Sequence, residues 1–453
     1  MGYQRLRIKA TLAPAMKLIH DDPTCLAEAK NLWLTRFTHA KAMIKALLLS
    51  FLLTLPVLLA QVEPQPSTYE VLQPVSAADF VPASQFASAL YTVAPVAQPD
   101  GLHLTYTLQG PDGAEYVTGT QSLVVRTNEI KAIVALDEIN NSEEFGKALV
   151  KAGTEKVDSV KEAVKDPLGT VQRLPQGASR LLGRVGTAIK NTAEGKGNPR
   201  AGAEAVLGVS RKKSELAIQL GVSPYTRNAL LQERLDATAR AMAGGALVVN
   251  LSGLLVSGGV GTAISVVNVN QTLQRTLIES TPEEMTVKNR AALTALGTSP
   301  SEVAGFLSNT SFSPWQKTIV TADLKDIGRN PGPFLRLASK ANTQEQVLDL
   351  MQGAHILRKH HQDSAALVSF REEAGVLAAL DSQGVLVAPV AGDLMLWMEP
   401  SESRANTLLS MAKDDSNVKS LALATDGVLS ARAVDEFTKR GIVTIPQALG
   451  PMR

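Results

Sequence analysis

The chain is almost without cysteine. Its one thiol, Cys25, lies upstream of an apolar run that starts at Met43. If that run is cut away, the remainder holds no cysteine, which excludes disulfides, thiolate nucleophiles and cysteine-based metal sites. Aromatic residues are also scarce, at 4%, which argues against an aromatic-rich sandwich and for helices packed through small side chains. Net charge is nearly absent too: 45 basic residues face 43 acidic ones for a formal +2, so whole-chain charge selects no partner. Phosphate-cradling and nucleophile-elbow motifs are missing. Gly259-Val260-Gly261 supplies two glycines of a dinucleotide fingerprint, but Ile264 occupies the place of the third and would crowd helix against strand.

An export signal is present. Met43-Ile44-Lys45 precedes the apolar stretch Ala46–Ala60, and a Pro- and Gln-rich segment, Gln61–Pro66, follows. One positive charge, a short apolar run and a small residue at the end form the pattern of a secretory leader. The run falls short of the ~20 residues that a membrane span needs. The expectation is a signal peptide over 43–60, with 1–42 an upstream extension of the reading frame, and a periplasmic, secreted or membrane-associated location.

Apolar residues make up 45% of the chain, enough for a sizeable core. Residues 61–87 read as a linker. Short β-rich runs at Tyr91–Val93, Leu102–Leu108, Ala114–Val117 and Ser122–Val125, separated by Asp100-Gly101 and Pro111-Asp112-Gly113, predict a β-meander in a small domain over 88–140. Helical spacing and Ser-Pro or Thr-Pro pairs at Ser223, Thr281, Ser299 and Ser313 predict a mainly helical domain over 141–362. Its uncharged, glycine-rich stretch 241–274 is expected as a buried hairpin, with entry into a bilayer the alternative. Over 363–453 a hairpin around Asp381–Gly384 and alternating strands and helices predict an α/β domain. The fold class expected is therefore α+β.

The runs Asp166–Thr170, Pro175–Arg180, Leu220–Thr226 and Asp426–Ala433 resemble an uncharacterised family of exported bacterial proteins over roughly 88–445. The resemblance implies an envelope location and one extended architecture. It carries no activity and no site residue.

Three groups of residues are candidates for chemistry. Between Arg173 and Lys213 nine cations face only Glu194 and Glu204. Arg173, Arg180, Arg184, Lys190, Arg211, Lys212 and Lys213 would suit an anionic membrane surface, the alternative being a solvated basic face. His355, His360 and His361 cluster near Asp363, but a five-residue offset turns His355 about 140° from His360 on a helix, which suits a polar helix end better than a metal. Pro111-Asp112 with Glu129-Ile130-Lys131 is similar to a metal-dependent nuclease array, although a hairpin turn explains its first half. No metal, no cofactor and no nucleic-acid partner is expected. The leading expectation is a non-catalytic interaction or scaffold protein that meets a protein or envelope component. The alternatives are an exported hydrolase with a dispersed site and a peripheral binder of anionic membranes through 173–213.

Overall fold

A computed structural model describes residues 68–86, 88–111, 113–142, 199–243, 271–413 and 415–449. The export signal, Arg173, Arg180, Arg184, Lys190 and most of the glycine-rich stretch lie outside the described residues.

The first sheet is built on β4 (Leu104–Gly110), where Leu104, Tyr106 and Leu108 alternate inward and are fully buried. On one side it pairs with β5 (Gly113–Thr118). On the other it pairs with β2 (Thr92–Val93) and β3 (Val96–Pro99), and β1 (Val75–Ser76) adds to β3. All pairings are antiparallel, as the alternation requires. The sheet begins earlier than expected, inside the stretch read as linker. It also ends earlier. Ser122–Val125 is not a strand: it lies in the first turns of helix α2 (Thr120–Asn140), which follows the short α1 (Ala83–Phe86). β-branched Val124 and Val125 suggested a strand, but helical spacing, with Leu123, Thr127 and Ile130 buried, decides the segment.

Helices α3 (Pro199–Gln219), α4 (Ala229–Ala243), α5 (Gln271–Glu279), α6 (Pro282–Ala295), α7 (Pro300–Ser308), α8 (Pro314–Ile327) and α9 (Gly332–Ala338) follow. Thr281, Ser299 and Ser313 each cap a helix in a complete capping box, with proline in the first turn. Ser223-Pro224 does not start a helix. Its hydroxyl closes a local turn onto the Tyr225 amide, and Asn228 caps α4 through Leu231 instead. Among the described residues no helix is long and apolar enough to cross a membrane.

The long helix α10 (Gln344–Asp363) leads into the second sheet: β6 (Leu367–Glu373), β7 (Val376–Asp381), β8 (Val385–Val390), β10 (Ser420–Thr425) and β12 (Ile442–Ile445). Its order is β12-β10-β8-β7-β6. The strands β8, β10 and β12 are parallel, while β6, β7 and β8 form an antiparallel meander through the expected hairpin. Short β9 (Leu394–Met395) and β11 (Val428–Leu429) pair beyond the ends of β8 and β10. Ala379, Val387 and Ala422 face a core shared with α9, α10 and the earlier helices. Leu380, Leu386 and Leu421 face α11 (Glu399–Ala412) and α12 (Ala431–Lys439) on the other side. The fold is α+β, and the second sheet is sandwiched between helical layers. From Tyr69 onward the described residues of the three expected stretches form one compact unit.

Candidate functional site

Parallel strands bring their carboxyl ends to one edge of a sheet, and the loops that leave them line a crevice there. In the second sheet, Asp393 follows β8 and Asp426 follows β10. Gly392 and Gly427 let these two loops pass so closely that a side chain on Gly427 would strike the backbone oxygens of Gly392 and Asp393. The Asp426 carboxylate accepts a bond from the Gly392 amide at 3.1 Å.

Asp393 fastens the two sheets together. Its Oδ2 accepts from the Leu104 amide at 2.8 Å, and its Oδ1 accepts from the Thr120 amide at 3.0 Å. Gly119 (φ 88°) offers α2 no side-chain cap, so a carboxylate distant in sequence supplies one and meets the positive end of the helix dipole. Burial pushes the Asp393 carboxyl upward, against the pull of its hydrogen bonds and of His103. Burial also raises Asp426, to about 7, reinforced by the fields of Asp393 and Asp349.

His103 Nε2 lies 3.2 Å from Asp349 Oδ2. Burial alone would lower the imidazole pKa. The bond to Asp349 and the charges of Asp349, Asp393 and Asp100 outweigh it and raise the pKa to about 9, so His103 is an imidazolium at neutral pH. Its Nδ1 lies 3.8 Å from the point that a Gly119 side chain would occupy, and Ser122 Oγ lies 3.6 Å from the same point. Both atoms therefore lie within ordinary contact distance of that one point.

This corner adjoins a cavity of about 580 Å³ between α2, the 223–228 turn, the start of α8 and the first turns of α10. Gln121, Ser122, Glu345, Leu348 and Gln352 line both the cavity and the niche at His103. Residues 345, 348, 349 and 352 share one face of α10. Tyr225 and Trp315, edge to face at 6.2 Å, and Phe312 form an aromatic wall. Burial raises the Tyr225 phenol to about 12, helped by Glu283, so it stays neutral. Glu129 is held by Thr226, Asn228 and Arg126. Lys317 donates to the Leu307 carbonyl at 2.6 Å, and Arg227 to the Ser311 carbonyl at 3.4 Å. Neither cation has a carboxylate partner among the described residues, and burial lowers the pKa of Lys317.

The expected candidates fall elsewhere. Arg211, Lys212 and Lys213 lie on α3 and pair with Glu215, Glu279 and Asp236, which spends much of their charge locally. His355 meets Asp323 and Arg358, His360 meets Asp381, and His361 accepts from the Leu367 amide. The three rings thus serve three separate contacts. Glu129-Ile130-Lys131 lies within α2, so the nuclease array has no strand to present its lysine. His103, Asp349, Asp393 and Asp426 were not singled out from the sequence. A signal existed: Val390-Ala391-Gly392-Asp393 and Ala424-Thr425-Asp426-Gly427 each place Gly and Asp just past an apolar strand. No protein-family model, no curated protein and no solved structure matches the chain.

Proposed function

We propose that this protein is an exported, non-catalytic binder of an anionic amphipathic molecule, which it takes into the 580 Å³ cavity. The apolar run after Met43 supports export. The carrying observation for binding is a cavity lined by Tyr225, Phe312 and Trp315 together with two cations, Lys317 and Arg227, that have no carboxylate partner among the described residues. Cavities of this size, mostly apolar with a few placed polar groups, suit small ligands. The apolar body lies along Tyr225, Phe312, Trp315 and Leu348, the anionic head meets the cations, and the Tyr225 phenol offers a further donor. Titrating laurate against Trp315 fluorescence tests this. Laurate binds, and a Lys317→Gln, Arg227→Gln double variant binds it at least about tenfold more weakly, the loss expected for a charge-assisted bond. Laurate binding equal in both proteins would sink the reading.

A second reading rests on Ser122 and His103 lining one small niche beside Gly119. In it the protein is an exported hydrolase. Ser122 Oγ would attack an acyl carbonyl and pass its proton to His103 Nδ1 while Asp349 holds Nε2–H; the bond to the leaving alcohol or amine would break as His103 returns that proton to it, and water, deprotonated by His103, would then displace Ser122 and release the acid. Because His103 is protonated below about pH 9, the rate would climb through that pH. A fluorophosphonate probe tests it: absence of label on Ser122 at pH 9.5 removes the hydrolase.

A further inference from the structure

Arg404, on α11, lines a pocket together with Pro389, Val390 and Ala391 at the end of β8. It makes no hydrogen bond and no ion pair with any described residue. Asp349 is the charge that acts on it, but that carboxylate is bonded to His103. Burial lowers the Arg404 pKa, and the residue keeps part of its surface in solvent. A partly desolvated charge gains when an opposite charge pairs with it.

A second cavity, of about 120 Å³, opens onto this guanidinium. Its walls are mixed, with Leu102, Phe334, Leu337, Leu350 and Val376 on the apolar side, and among the described residues Asp349 is the only acid in its lining. Gly353 of α10 leaves room there: a β-carbon at this position would stand 3.8 Å from the Pro389 side chain, in ordinary contact. An enclosed apolar cavity of about 150 Å³ holds a benzene-sized molecule, so the apolar side of this smaller, partly open one has room for a tail of about four carbons. A single guanidinium beside a carboxylate suits a monoanion better than a phosphate, whose extra charge and oxygens would find no donors. The planar fork of arginine matches the two oxygens of a carboxylate.

We propose that this cavity binds a short-chain aliphatic monocarboxylate, held by Arg404 through paired hydrogen bonds with its tail against Phe334, Leu350 and Val376. The site is separate from the large cavity and stands whether or not laurate binds there.

Isothermal titration of the full chain with isovalerate and with its uncharged analogue isovaleramide tests the assignment. Isovalerate binds, and isovaleramide binds at least about tenfold more weakly, as does isovalerate to Arg404→Gln. Gly353→Leu, which keeps the guanidinium but fills the cavity from the α10 side, loses isovalerate as well. The Lys317→Gln, Arg227→Gln variant keeps it. Four outcomes would each overturn the proposal: no isovalerate binding by the wild-type protein, equal binding of acid and amide, undiminished binding by Arg404→Gln and Gly353→Leu when circular dichroism shows both folded, or loss of isovalerate in the Lys317 and Arg227 variant. Should Arg404→Gln fail to fold, the comparison of acid with amide still decides.

Discussion

Helix α10 carries two histidine–aspartate pairs, one near each end, and they differ in everything but their chemistry. Near its start, Asp349 meets His103, just before β4 of the first sheet, at 3.2 Å, across 246 residues of sequence. About 16 Å along the same helix, His360 meets Asp381 at 3.0 Å. Asp381 also accepts from the amides of Gln383 and Val385, which closes the hairpin between β7 and β8. The second pair is local and holds a turn. The first pair stands at the carboxyl ends of parallel strands, among the carboxylates of Asp393 and Asp426, beside a cavity. Surroundings, not residue types, separate a structural pair from a candidate functional one.

The contrast rests on Asp393, which holds the first sheet and α2 against the edge of the second. Asp393→Ala leaves the buried amides of Leu104 and Thr120 without an acceptor, at a cost of about 2–5 kcal/mol. Urea unfolding would show this loss as a lower midpoint. A loss below about 1 kcal/mol would mean that the strand-end cluster does not join the two sheets.

Next in size is the pH dependence that Asp426 creates. Its folded pKa of about 7 lies above its usual value of 3.8. The folded state therefore holds the proton more tightly than the unfolded chain, and this contribution to stability is full below pH 4 and lost as pH rises to 7. Asp426→Asn removes the decline and is more stable than the wild type at pH 8 by about 2–4 kcal/mol. Parallel stability curves for the two proteins between pH 4 and 8 would contradict the assigned burial.

The two histidines supply the direct test. His103 is raised from 6.5 to about 9, so its contribution is full below pH 6.5 and lost as pH rises through 9. His103→Gln flattens stability over that window by about 1–3 kcal/mol, discounted for partial exposure, and it disturbs laurate binding in the neighbouring cavity. His360→Gln costs about 1–2 kcal/mol through its lost bond to Asp381 and leaves laurate binding unchanged. Calorimetric titration of both variants separates the pairs. Equal effects on laurate would erase the distinction.

Local chemistry made much of the fold legible. The capping boxes at Thr281, Ser299 and Ser313, the Asp381–Gly384 turn and the strand–helix alternation after Leu394 are all written within a few residues, and all three capped helices and the hairpin form where the sequence puts them. Ser122–Val125 misled because two adjacent valines favour strand locally, while the deciding fact, a helix cap contributed by Asp393, lies 273 residues away. The candidate site was hidden for the same reason. His103, Asp349, Asp393 and Asp426 come from four separate elements, and only the pairing of the two sheets assembles them. The histidine run 355–361 was conspicuous in sequence, yet each ring turned to a different neighbour.

The smallest effect sharpens the comparison most, because it matches cost and separates consequence. Thr343 caps α10 by accepting from the Gln346 amide at 3.2 Å, and Thr343→Ala costs about 1 kcal/mol. At the other end, His361 Nδ1 accepts from the Leu367 amide at 3.0 Å, and His361→Ala costs about 1–2 kcal/mol. The two losses are close, but they fall on opposite ends of one helix. Loosening the first turns frays the segment that presents Glu345, Leu348 and Gln352 to the cavity, so Thr343→Ala weakens laurate about two- to fivefold through local opening. Loosening the last turn reaches only the entry to β6, so His361→Ala leaves laurate binding as in the wild type. If His361→Ala weakened laurate as much as Thr343→Ala, the cavity would depend on the stability of the whole helix. The division of α10 into a binding end and a structural end would then be lost.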